Sequence, residues 1–311
     1  MPRPARAALE QPVDASSNQI HPQGSFLPTD LGPVHPVLCS CQRVQYLSQL
    51  LVSLLSHTRP TSAGAPDLAD AFRRTGYATV PGFLPPDELA EVERQLARYV
   101  RDVVPGLPAQ DAFYEAKGRP ETLKQLHRII DNDAWFHAFF LSGRFLGLAA
   151  QLLGTAAVPK NVEYFAKPPL IGAATPPHQD GHYFMIEPNE ALTMWIALDD
   201  VDEENGCIRY VEGSHLKGLR PHAKSGVLGF SQGITDYGPD DRRAEMPMLS
   251  RPGDMHVHHS LTIHRADANR SARPRRALGL VCYSERARHD AERSEAYQRE
   301  LARELRDQEK I

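Results

Sequence analysis

The chain has 311 residues, 41% hydrophobic and 24% charged, with Lys+Arg 35 against Asp+Glu 39 and a pI near 6.4. This is enough apolar content for one large domain or two small ones, and it excludes fibrous, membranous and wholly disordered classes. The near balance of charge lacks the basic footprint that holds phosphate backbones, no stretch approaches the roughly 18 apolar residues of a membrane span, and no apolar run of a secretory signal follows Met1-Pro2-Arg3. The expectation is a soluble, cytoplasmic protein whose partner is a small molecule rather than nucleic acid or membrane.

Residues 1 to 65 are rich in Pro, Ser, Gln and Ala, a composition that buries too little apolar surface to offset its ordering entropy, so a largely flexible arm is expected. Within it Leu47, Leu50, Leu51, Leu54 and Leu55 follow helical spacing and predict an amphipathic helix over 46–56. Cys39 and Cys41 lie close together but lack a second Cys or His pair, and with Cys207 and Cys282 they suggest reduced thiols rather than zinc or disulfides.

From Pro66 the texture becomes that of a folded domain. Asp67 is placed to cap a helix ending at Gly76, and Tyr77 to Val80 reads as a strand. Pro85-Pro86 opens a helix with Leu89, Val92, Leu96 and Val100 on one face. Helical periodicity returns over Ala134 to Leu141 and Arg144 to Leu153. After Val158 the pattern changes to short apolar or alternating runs: 161–167, 191–198, 207–211, 246–249, 255–258 and 277–283. Turn signals such as Glu204-Asn205-Gly206 separate them. Many short strands without intervening helices predict a mainly β fold, an antiparallel barrel or jelly roll, with a helical layer in front. The predicted domain spans 66–288, and 289–311 reads as a charged C-terminal helix with a solvated face.

The chemistry-bearing stretch is Thr175-Pro176-Pro177-His178-Gln179-Asp180-Gly181-His182. On a strand His178 and Asp180 point to one face, so both reach one metal ion. A third ligand is sought on a later strand, among His215, His222, His256, His258, His259 and His264. Of these, His256, His258 and His259 read as structural, having no carboxylate partner nearby in sequence.

The string His178-Gln179-Asp180, Asn205-Gly206-Cys207, Gly213-Ser214-His215, Pro252-Gly253-Asp254, then His264, Asn269-Arg270-Ser271 and Arg275, resembles the phytanoyl-CoA dioxygenase family. The resemblance runs from about Asp67 to Ser284, with Glu212 standing where the family usually has proline. It implies a double-stranded β-helix, Fe(II) held by His178, Asp180 and His264, and O2 and 2-oxoglutarate as cosubstrates. It further implies that Arg275, eleven residues after His264, anchors the far carboxylate of 2-oxoglutarate, that Trp195 borders that cosubstrate, and that His182 and Tyr183 line the substrate pocket.

Two histidines and one carboxylate leave metal positions open, the pattern of non-haem Fe(II) oxygenases rather than of closed zinc sites. A planar arginine suits a carboxylate better than lysine does, and strand alternation turns Arg276 away from the side of Arg275. Asn161 is placed to reach the cosubstrate and Asn269 to hold a loop beside His264. The carboxylate of Asp180 disfavours halogenation and leaves hydroxylation as the default outcome, with desaturation or cyclisation also open. A non-catalytic β-helix that binds a ligand or partner would keep the same scaffold. A zinc hydrolase would use the same ligands, but the sequence shows no evident general base for it.

Overall fold

The computed structural model describes residues 67–307. The expected 1–65 arm, its 46–56 helix and the Cys39–Cys41 pair lie outside the described residues. The helices are α1 (Leu68–Thr75), α2 (Pro86–Asp102), α3 (Ile129–Asn132), α4 (Ala134–Phe140), α5 (Gly143–Leu153), α6 (Asp180–Phe184), α7 (Pro239–Arg243) and α8 (Ala291–Asp307). The first strands are β1 (Tyr77–Val80), β2 (Ala112–Tyr114), β3 (Leu123–Leu126), β4 (Ala157–Lys167), β5 (Thr175–His178), β6 (Ile186–Glu187), β7 (Ala191–Ala197) and β8 (Ile208–Val211). They continue as β9 (His222–Val227), β10 (Phe230–Ile234), β11 (Glu245–Met248), β12 (Met255–His259), β13 (His264–Ala266), β14 (Arg275–Ser284) and β15 (Arg288–His289).

A seven-stranded antiparallel sheet runs β1-β12-β7-β14-β4-β3-β2, and a four-stranded sheet runs β11-β8-β13-β5. These are the two sheets of a jelly-roll core. The side-chain period of two divides the large sheet into two environments. Val162, Tyr164 and Ala166 of β4, Met194 and Ile196 of β7, and Leu278, Leu280 and Cys282 of β14 face the helical layer. They join Phe72, Val92, Leu96, Tyr99, Phe136, Phe140 and Phe145 in one buried cluster. The alternate residues of the same strands, among them Asn161, Glu163, Phe165, Lys167, Thr193, Trp195, Arg275 and Val281, line a cavity of about 1260 Å³. Arg276 shows the same rule from the outer side, where its guanidinium binds Asp199 at 2.6 Å and Glu93 of α2 at 2.8 Å.

Local chemistry sets the element ends. Asp67 accepts a hydrogen bond from Ala69 N at 3.2 Å, and Gly76 ends α1 at φ 87°, a left-handed conformation that favours glycine. The site is also tight, since a Cβ on Gly76 would lie 2.5 Å from His215 Nδ1 and Thr262 Oγ1. Asp133 caps α4 through Trp135 N and Phe136 N. Pro176 and Pro177 sit in β5, which is an edge strand of the small sheet, where a missing amide donor is tolerated. Among the described residues no single helix is long and apolar enough to cross a membrane.

Two expectations need correction. Short helices do interrupt the strand region: α6 follows β5 directly, and α7 precedes β11. The C-terminal helix is not merely a solvated face, because residues 296–303, 305 and 306 line the cavity and Leu305 is 8% exposed.

Candidate metal centre

His264 lies on β13 between two strands, with His178 of β5 as its Cα partner on one side and Tyr210 of β8 on the other. Asp180 comes from a different kind of element. The strand expected to carry both His178 and Asp180 stops at His178, and Asp180 is the first residue of α6. Gln179 is still extended, at φ −125° and ψ 126°, so the i, i+2 relation survives one residue past the strand. The ligand atoms of His178, Asp180 and His264 lie within 4.8 Å of one another. Asp180 Oδ1 is 3.7 Å from His178 Nε2 and 3.5 Å from His264 Nε2.

The ring tautomers follow from the partners. His178 Nδ1 lies 2.8 Å from Pro176 O, and His264 Nδ1 lies 3.0 Å from Thr262 O. A carbonyl only accepts, so each Nδ1 carries the proton and each Nε2 lone pair is free for a metal. Burial pushes the pKa of both imidazoles down, which keeps them neutral, as ligands must be. Burial alone would raise the Asp180 carboxyl, but His264, a hydrogen bond from His258 and the nearby His178 outweigh it and hold the group well below the usual carboxylate range.

The second oxygen of Asp180 is fully occupied. Thr193 Oγ1 donates to Oδ2 at 2.7 Å and His258 Nε2 lies 3.0 Å from it. An ionised carboxylate accepts only, so His258 donates from Nε2, and its Nδ1 accepts from Tyr210 Oη at 2.9 Å. His258, expected to be structural, therefore joins Thr193 in orienting the Asp180 carboxylate. The signal for it is the strand period combined with register, because His258 faces the cavity and is the Cα partner of Thr193 across β12 and β7. Neither sequence spacing nor motif reports that pairing. His256, on the same face, is enclosed by Thr79 and Ser250.

The remaining members of the motif build the support. Gln179 is fully buried and turns away from the ligands, donating to Gly218 O at 2.9 Å and Leu261 O at 2.7 Å and accepting from Arg220 N at 2.8 Å. Gly181 lies so close to Asn189 that a Cβ would come 2.4 Å from Asn189 Oδ1. His215 lies on a short turn, its Nε2 3.0 Å from Arg73 O, away from the ligands.

Arg275 is 4% exposed, yet its Nε has no hydrogen-bond partner and its guanidinium makes no ion pair among the described residues. Its Cζ lies 5.5 Å from the Trp195 ring centroid, and burial lowers its pKa to about 10. A buried, unpartnered cation costs free energy unless an anion completes it. This orphaned guanidinium beside an open donor set fits a dicarboxylate that spans from metal to arginine. Lys167, the Cα partner of Arg275, is 3% exposed, and its Nζ donates to Ala173 O. Burial, with Arg275 beside it, lowers its pKa well below the usual lysine value. Lys124 adds a further cation to the lining, paired with Glu115 at 3.2 Å.

The other predicted residues divide. Asn161 lines the cavity, and its Oδ1 accepts from Arg128 N at 3.0 Å. Tyr183 also lines it, and its hydroxyl donates to Gln232 O at 2.9 Å. His182 does not line the cavity: its ring stacks on His222 at 4.2 Å, and burial, with His222 beside it, pushes its pKa down to about 4. The one-residue offset from Tyr183 on a helical turn sends the two side chains in different directions. Asn269 donates to Lys167 O at 2.9 Å and Arg273 O at 2.7 Å, tying the β13–β14 loop to the end of β4 next to Arg275.

A jelly roll carrying a His-X-Asp…His donor set, with open metal positions and a buried free arginine behind it, defines the class of non-haem iron proteins built on the double-stranded β-helix. The profile of the phytanoyl-CoA dioxygenase family matches residues 72–277, and the chain belongs to that family. A phytanoyl-CoA dioxygenase of Arabidopsis thaliana is 26% identical over 255 residues, 71% of this chain and 89% of that protein. The peroxisomal phytanoyl-CoA dioxygenase of Mus musculus is 35% identical over 120 residues, 36% of this chain, and the match spans 35% of that protein's length. Among solved structures, the alpha ketoglutarate dependent epimerase SnoN from nogalamycin biosynthesis is 27% identical, with a TM-score of 0.58 over 71% of this chain and 84% of that one. SnoN has been crystallised with Fe3+ and alpha ketoglutarate. EvdO2 from Micromonospora carbonacea, crystallised with 2-oxoglutarate, is 26% identical with a TM-score of 0.57 over 74% of this chain and 95% of that one.

Proposed function

We propose that this protein is an Fe(II)- and 2-oxoglutarate-dependent dioxygenase that hydroxylates a carbon of a small or medium organic substrate, with succinate and CO2 as coproducts. The observation that carries the reading is the pairing of the His178–Asp180–His264 donor set with an unpartnered, buried Arg275 in one cavity. Iron with 2-oxoglutarate and O2 supplies the oxidising chemistry when bound. The chain's own part is positional. His178 and His264 offer Nε2 because backbone carbonyls hold their Nδ1 protons, and Asp180 offers Oδ1 because Thr193 and His258 take Oδ2. Arg275 and the Trp195 face receive the far carboxylate of the keto acid, and Tyr183 and Phe230 close the space around His178.

The test is anaerobic titration of Fe(II) and 2-oxoglutarate, followed by a substrate screen read by succinate release and product mass. A visible charge-transfer band that disappears in His178→Ala supports the reading, and its absence from the wild-type protein overturns it. SnoN and a structural neighbour named as a carbocyclase, SnoK, extend the outcomes beyond hydroxylation. Gain of one oxygen marks hydroxylation, loss of two hydrogens marks desaturation or ring closure, and unchanged mass marks epimerisation. A protein that binds ligand but never forms succinate would be a binding domain on the same scaffold.

A further inference from the structure

The cavity has two unlike walls. One is the sheet floor, which carries His178, Asp180 and His264 with Arg275, Trp195 and Lys167. The other begins at Phe230 and Tyr183, whose rings lie 5.4 Å and 6.1 Å from the His178 ring, and it continues onto α8. Tyr297 of α8 hydrogen-bonds Ser231, the neighbour of Phe230. Leu305 of α8 is buried, and Lys224 of β9 pairs with Glu300 at 3.7 Å and with Glu304. The helix is thus anchored on the β9–β10 hairpin through Glu300 and Glu304, the second of which also feels the charge of Arg303.

Arg299, Arg303 and Arg306, at i, i+4 and i+7, form one stripe, and all three line the cavity. Arg299 keeps a 3.4 Å contact with Glu295. Arg303 and Arg306 have no hydrogen-bond or ion-pair partner among the described residues. Around the whole cavity Lys and Arg outnumber Asp and Glu two to one, although acidic residues are in excess over the full chain. The cation at the sheet floor, Arg275, is accounted for by the cosubstrate of the proposed dioxygenase. The stripe stands on α8, whose Tyr297 joins the aromatic wall through Ser231 beside Phe230.

We propose that α8 is the substrate-selecting wall of this cavity, and that Arg303 and Arg306, assisted by Arg299, bind a carboxylate or phosphate group carried on an apolar or aromatic substrate body. Guanidinium forks suit both anions, and the Tyr183–Phe230–Tyr297 surface suits the body. That the bound molecule is the one oxidised rests on the proposed dioxygenase reading; the anion site does not.

The experiment therefore uses binding without turnover, on the full chain. Anilinonaphthalene sulfonate and its uncharged counterpart phenylnaphthylamine share an aromatic body and differ by one anion. The wild-type protein is expected to bind the sulfonate at least about tenfold more tightly at low salt, with the ratio falling as salt rises. Arg303→Glu/Arg306→Glu is expected to bring the ratio to about one or below while leaving binding of the neutral dye unchanged, and Arg303→Lys/Arg306→Lys to retain part of it. A ratio near one in the wild type, or a ratio that charge reversal leaves intact, overturns the proposal. Should the reversed variant fail to fold, displacement of the neutral dye from wild-type protein decides. Decanoate or decyl phosphate displacing it well below the concentration needed for decanol supports the site, and their relative strength separates carboxylate from phosphate. Equal displacement by all three overturns it. A protein that shows the dye preference but forms no succinate with any substrate loses the dioxygenase reading and keeps the anion site.

Discussion

The sheet floor and the α8 wall enclose the same cavity by different means. Along the floor the polar side chains are fixed by hydrogen bonds: His178 and His264 through Nδ1, Asp180 by Thr193 and His258, His258 also by Tyr210, and Asn269 by two carbonyls and Ser271. Arg275 is the exception, packed against Trp195 and left without a polar partner. Along α8, recognition groups stand on a mostly exposed helix tied down by one buried leucine, one tyrosine and one lysine. A rigid, desolvated floor suits parts that serve any substrate, because electrostatics act strongly there and geometry does not drift. An exposed wall suits the part that distinguishes substrates, since its side chains change without disturbing the core.

Breaking the floor is expected to have the largest effects. His178→Ala or Asp180→Ala removes a ligand from the donor set and is expected to abolish Fe(II) binding, measured by anaerobic titration and metal analysis, together with succinate formation. Arg275→Ala removes the buried floor guanidinium that is free to take the far carboxylate by a bidentate contact. Its Kd for 2-oxoglutarate is expected to rise about 10- to 100-fold, the worth of a charge-assisted bidentate pair, with Arg275→Lys recovering part of the loss.

Below these comes a stability effect. Burial pushes His256 down to a pKa of about 4, whereas the unfolded chain takes up its proton near the ordinary histidine value of about 6.5. Between those two values the unfolded state binds the extra proton, so stability is complete above about pH 6.5 and falls as pH drops toward 4. The contribution of this one group is about 3 kcal/mol. Urea unfolding across that range, compared with His256→Asn, is expected to show a flatter pH dependence in the variant; equal slopes would remove His256 from the account.

A smaller effect is expected at His258→Phe, which removes one of the two donors to Asp180 Oδ2 and leaves Thr193. Fe(II) affinity should fall about 10-fold, as for other groups that orient a ligand, with the charge-transfer band shifted rather than lost, a change that a purely structural role would not produce. The smallest sharpens the contrast from the other side. Truncation after Asp290 removes α8 and should leave Fe(II) and 2-oxoglutarate affinities within about twofold, because distant sites act nearly independently. A large loss there would show that floor and wall are one unit.

Much of the floor was legible from sequence because its rules are local. The period of two along 275–276 separates a cavity arginine from one bound to Asp199, and the spacing of His178 and Asp180 survives even though Asp180 opens a helix instead of continuing a strand. The same local rules placed the helical layer and most strands, whose apolar residues repeat at helical or strand spacing. Read locally, His258 looked structural and α8 looked separate from the cavity, and of the two residues expected in the pocket, His182 and Tyr183, Tyr183 lines it and His182 does not.

By itself, then, the sequence determined the strand periods, the i, i+2 spacing of His178 and Asp180 and the opposite facing of Arg275 and Arg276, because each follows from backbone periodicity within a few residues, whereas His264 entered the donor set through the resemblance to the family. Tertiary structure alone decided that His258 meets Asp180 across 78 positions and that the C-terminal helix folds back over the cavity. Such pairings depend on strand register and packing between distant segments, and a register shift of one residue would turn His258 to the opposite face without altering any local signal.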